Sequence, residues 1–315
     1  RTLSVVQGLS FTRTLGPKRY FQVDLRQNYY DYRDMAFDSV NDPSYDRFGP
    51  LTGLTGYDFG HPIQGIDFNR FQLTTNAFLA KGTFVDQPSN THQWKLGGEY
   101  QAPLMRFGAP GALFLGVIPG TGRTGLIRTH RPRPEFLPVF VSGYVQDQRE
   151  WNEVTFRIGA RTDWFDARTT LPSDLANPAN SITGVPQSHP RATSNKLTVS
   201  PRIGVSYPVS ETAALYFAYG HFYQYPPMRD MFNNSDYGVL ADLQAADDLQ
   251  RKGILGNPDI RAQRTVQYQI GIKDAITPDL GLDFNAFYKD IRDLLGVEFV
   301  STYNGAQYVR FTNVD

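Results

Sequence analysis

The chain contains long segments in which apolar and polar residues alternate, and the clearest covers residues 153–164. One set of alternate positions is apolar and holds Val154, Phe156, Ile158 and Ala160. The other set is polar or small and holds Thr155, Arg157, Gly159, Arg161 and Asp163. Because side chains alternate faces along a β-strand, this segment predicts a strand with one apolar and one charged face.

Ten segments of this kind run along the chain, and an eleventh is expected over residues 306–314. The ten cover residues 2–15, 19–33, 67–84, 91–101, 136–146, 153–164, 196–207, 213–224, 263–273 and 280–291. Ordinary strands have about five or six residues. Repeated two-faced strands of roughly ten residues or more are typical of a membrane-spanning antiparallel β-barrel, with lipid outside and water inside.

The connections between these segments alternate between short and long. Short turns are expected at residues 16–18, 86–90, near Arg149, 208–211 and 277–279. Long loops are expected at residues 34–65, 104–134, 166–195 and 225–261. In bacterial barrels the short turns lie on the periplasmic side and the long loops lie outside. Because an odd number of strands cannot close an even-numbered barrel, we expect residues 1–315 to form part of a larger barrel.

The composition excludes several other classes of protein. No run approaches 18 consecutive apolar residues, which argues against a membrane-spanning helix. The 31 basic and 31 acidic residues balance, so no bulk attraction to nucleic acid is indicated. The chain has no cysteine, which removes thiol catalysis and thiolate metal sites.

Two tryptophans predict the thickness of the membrane-spanning region. Trp151 and Trp164 lie 13 residues apart, about 43 Å of strand or roughly 30 Å across a membrane at a 45° tilt. Strict alternation would place them on opposite faces, so Trp151 is assigned to the turn. The pair would then mark the two aromatic girdles of a barrel.

Three passages resemble the barrel of TonB-dependent outer-membrane receptors. Residues 144–148 (YVQDQ) and 156–163 (FRIGARTD) are similar to that family's Y-x-Q-D … G-x-R-x-D hairpin. Residues 200–207 (SPRIGVSY), followed by 216–226, resemble its S-P-R-x-G … Y-G-x-x-F-x-x-P stretch. Residues 256–260 (GNPDI), 268–271 and 287–291 resemble its G-N-P-x-L-x-P-E … Y-E-x-G … F-Y-x-D-I stretch, with Ala262-Gln263 and Gln269 replacing the usual Pro-Glu and Glu.

The resemblance implies a 22-stranded barrel in the outer membrane of a Gram-negative cell. Such a barrel surrounds an N-terminal plug, which an energy-coupling protein of the inner membrane moves to admit a scarce ligand. The Gly16-Pro17 turn and residues 91–100 favour the subtype that carries a carboxypeptidase-regulatory-like domain. Outer-membrane lipid, the coupling protein and an unknown ligand are the expected partners. Neither enzymatic activity nor a cofactor is expected.

The pattern assigns residues to the lumen and to the loops. The residues expected to face the lumen are Arg26, Arg70, Glu99, Arg157, Arg161, Arg202 and Lys273. In the longest loop, Tyr225, Arg229 and Asp236 are the expected ligand contacts. The aromatic cluster of Tyr219, Phe222, Tyr223 and Tyr225 is expected to form part of an interfacial girdle.

Other motifs carry less weight. The five histidines show no metal-ligand spacing, so no metal site is expected. Leu240, Leu243 and Ala246 recur at helical spacing, which predicts a short helix within residues 235–252. The G-x-G-x-x-G match at residues 120–125 has no helix after it, so it is interpreted as a loop and not as a dinucleotide site.

Two alternatives to a transporter remain open at this stage. The first is an outer-membrane structural or adhesion barrel without active transport. The second is a soluble carbohydrate-binding β-protein, in which the apolar faces of the strands would be buried in a core. A plug and coupling box elsewhere in the gene product would favour transport. Solubility of the protein without detergent would favour the carbohydrate-binding β-protein.

Overall fold

The computed structural model of the protein describes residues 1–50, 52–53, 62–117, 120–130, 133–241 and 253–315. Ten of its strands are long: β1 (Thr2–Gly16), β2 (Arg19–Met35), β5 (Arg70–Ser89), β6 (His92–Gly108), β10 (Val139–Trp151), β11 (Val154–Asp166), β14 (Lys196–Pro208), β15 (Ala213–Gln224), β17 (Gln263–Thr277) and β18 (Leu280–Arg292). Each corresponds to one of the ten expected strands, and these predictions are confirmed.

The remaining elements are short and lie in the connections. The strands are β3 (Thr52–Gly53), β4 (Pro62–Gln64), β7 (Ala112–Val117), β8 (Thr124–Thr129), β9 (Glu135–Phe136), β12 (Thr170–Pro172), β13 (Pro190–Ala192), β16 (Ile254–Leu255), β19 (Leu294–Ser301) and β20 (Gln307–Val314). The helices are α1 (Ser44–Phe48), α2 (Met228–Phe232) and a 3₁₀ turn at Gly238–Leu240. Within the described ranges, no helix has the length and apolar character needed to span a membrane.

The long strands form one antiparallel sheet in sequence order. The order is β1-β2-β5-β6-β10-β11-β14-β15-β17-β18, and β9 pairs with β6 as the eleventh strand. Each strand follows its predecessor by a simple reversal, as in an up-and-down barrel wall. β1 and β18 are the edge strands of this sheet, so the described strands do not close on themselves.

The expected strand at residues 306–314 exists but lies elsewhere. It is β20, which pairs with β19 and β16 in a separate three-stranded sheet. The prediction that it continues the wall was therefore wrong. The eight-residue strands β19 and β20 form a hairpin that follows β18.

The turn between β10 and β11 corrects the interpretation of the tryptophans. Trp151 ends β10 and pairs with Val154, and the two-residue turn is Asn152–Glu153. Both turn residues have positive φ, 45° and 70°, as a type I′ hairpin requires. Trp151 is therefore in the strand, and the turn brings it to the same face as Trp164. The separation of about ten residues along β11 is roughly 33 Å of strand, or about 23 Å at a 45° tilt, close to the apolar band of a barrel.

The chain divides into two compact units. The first comprises residues 1–7, 27–78 and 103–137, and the second comprises residues 8–26, 79–102 and 138–315. In the first unit, Tyr45 is fully buried in a small core with Val40 and Leu113. Phe37 and Phe68 pack edge-on against its ring, at 5.1 and 5.8 Å between ring centroids.

The second unit contains most of the long wall strands and a separate core built from connections. This core consists of Leu171, Tyr237, Leu240, Leu255, Ala306 and Tyr308. These residues come from the connections 167–195 and 225–262 and from residues 293–315, which follow β18. Long loops usually run over the surface, but here they are folded together around their own apolar core. We call this assembly the cap.

The turn between β10 and β11 can be tested by substitution. Glu153 is held in the left-handed region, where side chains other than glycine are strained. Replacing it by glycine removes that strain but adds backbone entropy to the unfolded chain. We therefore expect Glu153→Gly to raise the free energy of unfolding by about 0.5–1 kcal/mol.

The measurement is urea-induced unfolding of the full-length protein refolded into phospholipid vesicles. Asn152→Gly is the matched control and should gain less, because asparagine tolerates left-handed backbone better than glutamate does. A loss of stability in Glu153→Gly would show that this turn is not of the type described.

Candidate functional site

A polar cavity of about 570 Å³ lies on one face of the wall, within the second unit. Seven strands from β5 to β17 contribute to it. Its charged lining residues are Lys81, Glu99, Arg157, Arg161 and Arg202. Four positive charges line the cavity against one negative charge, so its lining has a net positive charge.

Strand register explains why these charges meet. On β11, Arg157, Gly159 and Arg161 point to one face, and Gly159 is directly opposite Arg202 of β14. A Cβ on Gly159 would lie 2.8 Å from the carbonyl oxygen of Val145. The glycine therefore allows a close approach between β10 and β11 that no other residue permits.

The arginines differ in how fully their charge and N–H donors are paired with neighbouring groups. Arg161 forms an ion pair with Asp163 at 2.7 Å, and Arg157 donates to Gln148 Oε1 at 2.9 Å. The Arg202 guanidinium carbon lies 4.8 Å from the centroid of the Phe222 ring, a cation–π contact. Neither Arg202 nor Lys81 forms an ion pair among the described residues, but Lys81 lies within electrostatic range of Asp24. Arg202 is therefore the cation whose donors are most available to an anion.

The opposite face of the same strands is apolar and open. Ile158, Leu197, Ile270 and Phe284 are 53%, 69%, 59% and 63% exposed. Soluble monomers rarely expose a large contiguous apolar patch. The wall thus presents apolar side chains on one side and a cationic cavity on the other.

The structure brings four of the seven expected lumen residues together: Glu99, Arg157, Arg161 and Arg202. Lys273 lies apart from the cavity, 3.4 Å from Asp283 and over the Tyr216 ring. Arg26 is exposed on β2.

Arg70 does not join the open polar surface. It is 4% exposed and donates to the carbonyl oxygens of Phe37 and Asp38 and to the Tyr45 hydroxyl, at 2.6–2.7 Å. Its charge is used to hold a loop of the first unit. Arg70 is the first residue of β5, where the wall meets the preceding loop. The alternation pattern does not distinguish a residue that faces the lumen from one that is buried against this loop.

Several cavity residues were not expected from the sequence: Lys81, Gln146, Phe222, Gln267 and Gln269. Gln267 and Gln269 share the parity of Lys273 on β17, and Gln146 shares the parity of Gln148 on β10, so these three could have been found from the polar set of alternate positions. Lys81 could not, because the alternation changes phase within β5. Near the start of β5 the polar face carries even-numbered residues, such as Gln72, which donates to Asp31. Further along the strand it carries odd-numbered residues, because Lys81 lines the cavity and Thr83 contacts the Tyr144 hydroxyl.

The expected aromatic girdle cluster is divided among several surfaces. Tyr219 contacts His221 and Tyr268, with a 2.6 Å hydrogen bond between its hydroxyl group and His221 Nε2. Phe222 instead lines the cationic cavity, and Tyr223 and Tyr225 line a smaller pocket. The prediction of one girdle cluster was wrong, because adjacent residues of β15 point to opposite faces.

The smaller pocket has a volume of about 170 Å³ and shares Glu99 and Arg161 with the cationic cavity. Tyr225 packs there on Phe165, with ring centroids 4.6 Å apart. Its hydroxyl is buried and has no hydrogen-bond partner among the described residues. Burial, with a smaller effect of Asp163, raises the pKa of Tyr225 to about 12. The phenol is therefore a neutral, unsatisfied donor beside a polar pocket.

The other two expected loop contacts lie in the cap. Arg229 is an exposed residue of α2. Asp236 is exposed, and its carboxylate accepts a hydrogen bond from the Gly238 amide at 3.1 Å, at the start of the 3₁₀ turn. Most of the helix expected within residues 235–252 lies outside the described residues, as does His61. The described residues contain no cluster of three or more potential metal ligands.

The G-N-P-D-I motif at residues 256–260 acts as a latch between parts of the cap. Asn257 Nδ2 donates to the Phe311 carbonyl at 3.1 Å. Asp259 accepts hydrogen bonds from the Ser194 amide and hydroxyl at 2.9 and 2.7 Å, and from Lys196. A Cβ on Gly256 would lie 2.5 Å from the Met231 carbonyl oxygen, so only glycine fits. The motif that carried the resemblance therefore has a structural role.

The G-x-G-x-x-G segment forms the tip of the β7–β8 hairpin. Gly120 and Gly122 have φ values of 77° and 65°, and β8 begins at Thr124. No helix follows, so the segment lacks the geometry of a dinucleotide site. Its interpretation as a loop is confirmed.

A long antiparallel sheet with an apolar outer face and a polar inner face defines the wall of a transmembrane β-barrel. The family model "TonB dependent receptor-like, beta-barrel" matches residues 4–315. The chain therefore belongs to the TonB-dependent receptor family. No protein of curated function matches it significantly in sequence.

Solved structures show the same fold at low sequence identity. The outer membrane transporter YddB from Escherichia coli is 13% identical with a TM-score of 0.63, covering 98% of this chain and 37% of that one. A ferric enterobactin receptor mutant from Pseudomonas aeruginosa, PfeA, is 14% identical with a TM-score of 0.58, and the match covers 99% of this chain and 40% of that one. The copper transporter OprC is 12% identical with a TM-score of 0.56, and the match covers 99% of this chain and 42% of that one. The chain thus spans about two fifths of the length of these proteins.

The latch predicts a pH dependence of cap order. Burial opposes ionisation of Asp259, but hydrogen bonds from Lys196 and Ser194 outweigh it and lower the pKa below the ordinary value of 3.8. A carboxyl with a lowered pKa stabilises the folded state above its unfolded pKa and loses this contribution as the pH falls through the folded value. Protection of the Ser194 amide should therefore be constant above about pH 5 and fall below about pH 4.

The measurement is hydrogen exchange of residues 193–197 in the full-length protein, corrected for the intrinsic exchange rate at each pH. Asp259→Asn should lower protection at neutral pH and abolish its pH dependence. Asp236→Asn, at an exposed carboxylate of the same cap, is the control and should behave as wild type. Equal wild-type protection at pH 3 and pH 6 would contradict the latch.

Proposed function

We propose that the chain is part of the wall of an outer-membrane TonB-dependent transporter, which takes up a scarce ligand across the outer membrane of a Gram-negative cell. The observation that carries this proposal is the pairing of an exposed apolar face with a cationic cavity on the same strands. The family assignment supports it. Neither feature requires catalysis, and we propose a receptor rather than an enzyme.

On this proposal the apolar face contacts lipid and the cationic cavity faces the lumen. Arg202 forms no ion pair among the described residues and would present its charge to whatever fills or crosses the lumen. An excess of positive charge in a low-dielectric channel attracts anionic groups. The glutamines and Tyr144 would supply uncharged hydrogen-bonding groups beside these cations.

The cap would form the ligand-facing surface outside the membrane. Its connections are held together by the apolar core and by the latch at Asp259, so its side chains are positioned before a ligand arrives. Such preorganisation reduces the entropy that binding must overcome. Tyr225, Arg229 and Asp236 remain our proposed contacts, and the unsatisfied Tyr225 hydroxyl is the most specific of the three.

Because the chain spans about two fifths of its structural relatives, we propose that residues 1–315 form a partial barrel domain. The complete polypeptide would add the remaining strands and a plug that binds an energy-coupling protein of the inner membrane. The coupling protein distinguishes transport from a structural or adhesion role. A structural or adhesion barrel needs no energy input and no coupling protein.

The test uses the full-length protein extracted from outer membranes with detergent and the purified periplasmic domain of the coupling protein. We expect direct binding, measured by calorimetry with a dissociation constant of roughly micromolar order. A version that lacks the proposed plug but retains the barrel is the control and should not bind. A full-length protein in the outer membrane that fails to bind would favour the structural or adhesion barrel.

A further inference from the structure

The outward-facing residues of β15, β17 and β18 change character in a regular order along the wall. From the short-turn end to the long-loop end, two apolar rows are followed by a row of tyrosines and then by two rows that contain charged residues. The rows are Leu215, Ile272 and Phe284; Phe217, Ile270 and Ala286; Tyr219, Tyr268 and Tyr288; His221, Val266 and Asp290; and Tyr223, Arg264 and Arg292. All of them belong to the second unit. Register places every row on the face that carries the exposed Ile270 and Phe284.

Two charged residues bound the uncharged part of this face on β17. Asp274 lies near the short turn and Arg264 near the long loop, and the four outward residues between them are all uncharged. Their ten-residue separation is about 34 Å of strand, or roughly 24 Å across a membrane at a 45° tilt. The apolar band of an outer-membrane barrel is about 25 Å tall. With the short turns on the periplasmic side, Arg264 lies at headgroup depth in the extracellular leaflet, where an outward arginine costs little.

The row of tyrosines agrees with this depth. Its ring centroids are 5.0 Å apart between Tyr219 and Tyr268 and 6.4 Å apart between Tyr268 and Tyr288, so the rings form a strip across three strands. The strip lies four residues from Arg264, about 9 Å deeper at the same tilt. Tyrosine rings are enriched where headgroups meet acyl chains. From the extracellular side inwards, the face is therefore charged, then aromatic, then apolar.

The charged end of this face has more positive charge than its carboxylates neutralise. Arg264 is directly opposite Arg292, and like charges in opposite positions of a strand pair are destabilising. Arg292 contacts Asp290 through Nε, at 3.2 Å, and its two Nη groups make no hydrogen bond among the described residues. Asp293 is already paired with Arg261. Arg264 has neither an ion pair nor a side-chain hydrogen bond within the described part of the chain.

We propose that Arg264 and the Nη side of Arg292 bind a phosphate group of lipopolysaccharide, the phosphorylated glycolipid of the extracellular leaflet. The inference rests on the membrane placement under the proposed function. The planar fork of a guanidinium group matches two oxygens of one phosphate. The acyl chains of the same molecule then run past the tyrosine strip and pack on Ile270, Ile272 and Phe284.

Charge and leaflet together select this occupant. A phosphomonoester carries about −1.5 to −2 charges near pH 7. Such a group can accept hydrogen bonds from both arginines at once, and it relieves the repulsion between them that Asp290 relieves only in part. A phospholipid of the periplasmic leaflet cannot reach the long-loop end of the wall.

The test is native mass spectrometry of the full-length protein in detergent, titrated with lipid A that carries both phosphates or with the same lipid A after removal of both. Wild type should bind the phosphorylated form severalfold more tightly. Arg264→Gln should weaken that binding about tenfold, as expected for loss of one charge-assisted bidentate contact. It should leave binding of the dephosphorylated form unchanged.

The matched control is Arg149→Gln. Arg149 has the outward parity of Val145 on β10, and it lies at the short-turn end, where its cross-strand neighbours are His92 and Phe156 instead of a second arginine. Within the described part of the chain it also has no ion pair. This variant should bind both forms of lipid A as wild type does.

Two further variants distinguish phosphate binding from a structural role. Arg264→Lys should keep part of the affinity that Arg264→Gln loses, because lysine binds phosphate as a point charge. Asp290→Asn should tighten binding of the phosphorylated form, because it removes the carboxylate that competes for Arg292. Equal binding of the two forms by wild type would overturn the proposal, and so would unchanged binding by Arg264→Gln.

Failure of this inference and failure of the proposed function give different results. If the two arginines do not select phosphorylated lipid A, the protein should still fractionate with the outer membrane and require detergent for extraction. A protein that is soluble without detergent would instead show that the membrane placement itself is wrong.

Discussion

The structure depends on one constraint: backbone amide and carbonyl groups inside a bilayer must be hydrogen-bonded within the protein, because lipid offers no partners. Long antiparallel strands meet this requirement through their neighbours. The β10–β11 hairpin pairs continuously from Val139–Asp166 to Trp151–Val154. With the backbone satisfied, the side chains are free to differ completely between the two faces.

That freedom explains why charge and apolar surface coexist on single strands. On β11, Arg157 and Arg161 line a cationic cavity while Ile158, between them, is more than half exposed on the opposite face. Glycine makes the arrangement compact where strands and aromatic rings approach closely. The Tyr216 ring, for example, occupies the place that a Cβ on Gly271 would need.

The cap is stabilised by different interactions from those that stabilise the wall. It lies in the connections, where apolar residues can be buried against each other and water is available to the rest. Tyr237 and Leu240 are fully buried there, and the Asp259 latch holds Ser194 of a distant connection and Lys196 at the start of β14. The wall needs neighbouring strands, whereas the cap needs contacts between residues far apart in sequence.

This difference decides how much could be predicted from the sequence. The ten wall strands were predictable because period-two alternation is local, and Glu99, Arg157, Arg161 and Arg202 followed from it. Lys81 was missed because the alternation shifts phase within β5. The β19–β20 hairpin was partly mistaken for the wall because both have strand-like residues.

The loop site shows the same limit. The positions of Arg70 and Tyr225 depend on contacts with residues tens of positions away, such as Tyr45 and Phe165. No local pattern encodes such contacts. The G-N-P-D-I motif was visible in the sequence, but its function as a latch required the partners Ser194, Lys196 and Phe311.

The most direct test of the central claim, that one face of β11 contacts lipid and the other contacts water, uses the absence of native cysteine. Single cysteines at residues 156–162 of the full-length protein would carry a bimane label in vesicles that contain brominated lipid. Quenching should alternate, strong at positions 156, 158, 160 and 162 and weak at 157, 159 and 161. Uniform quenching, or none at any position, would contradict the claim.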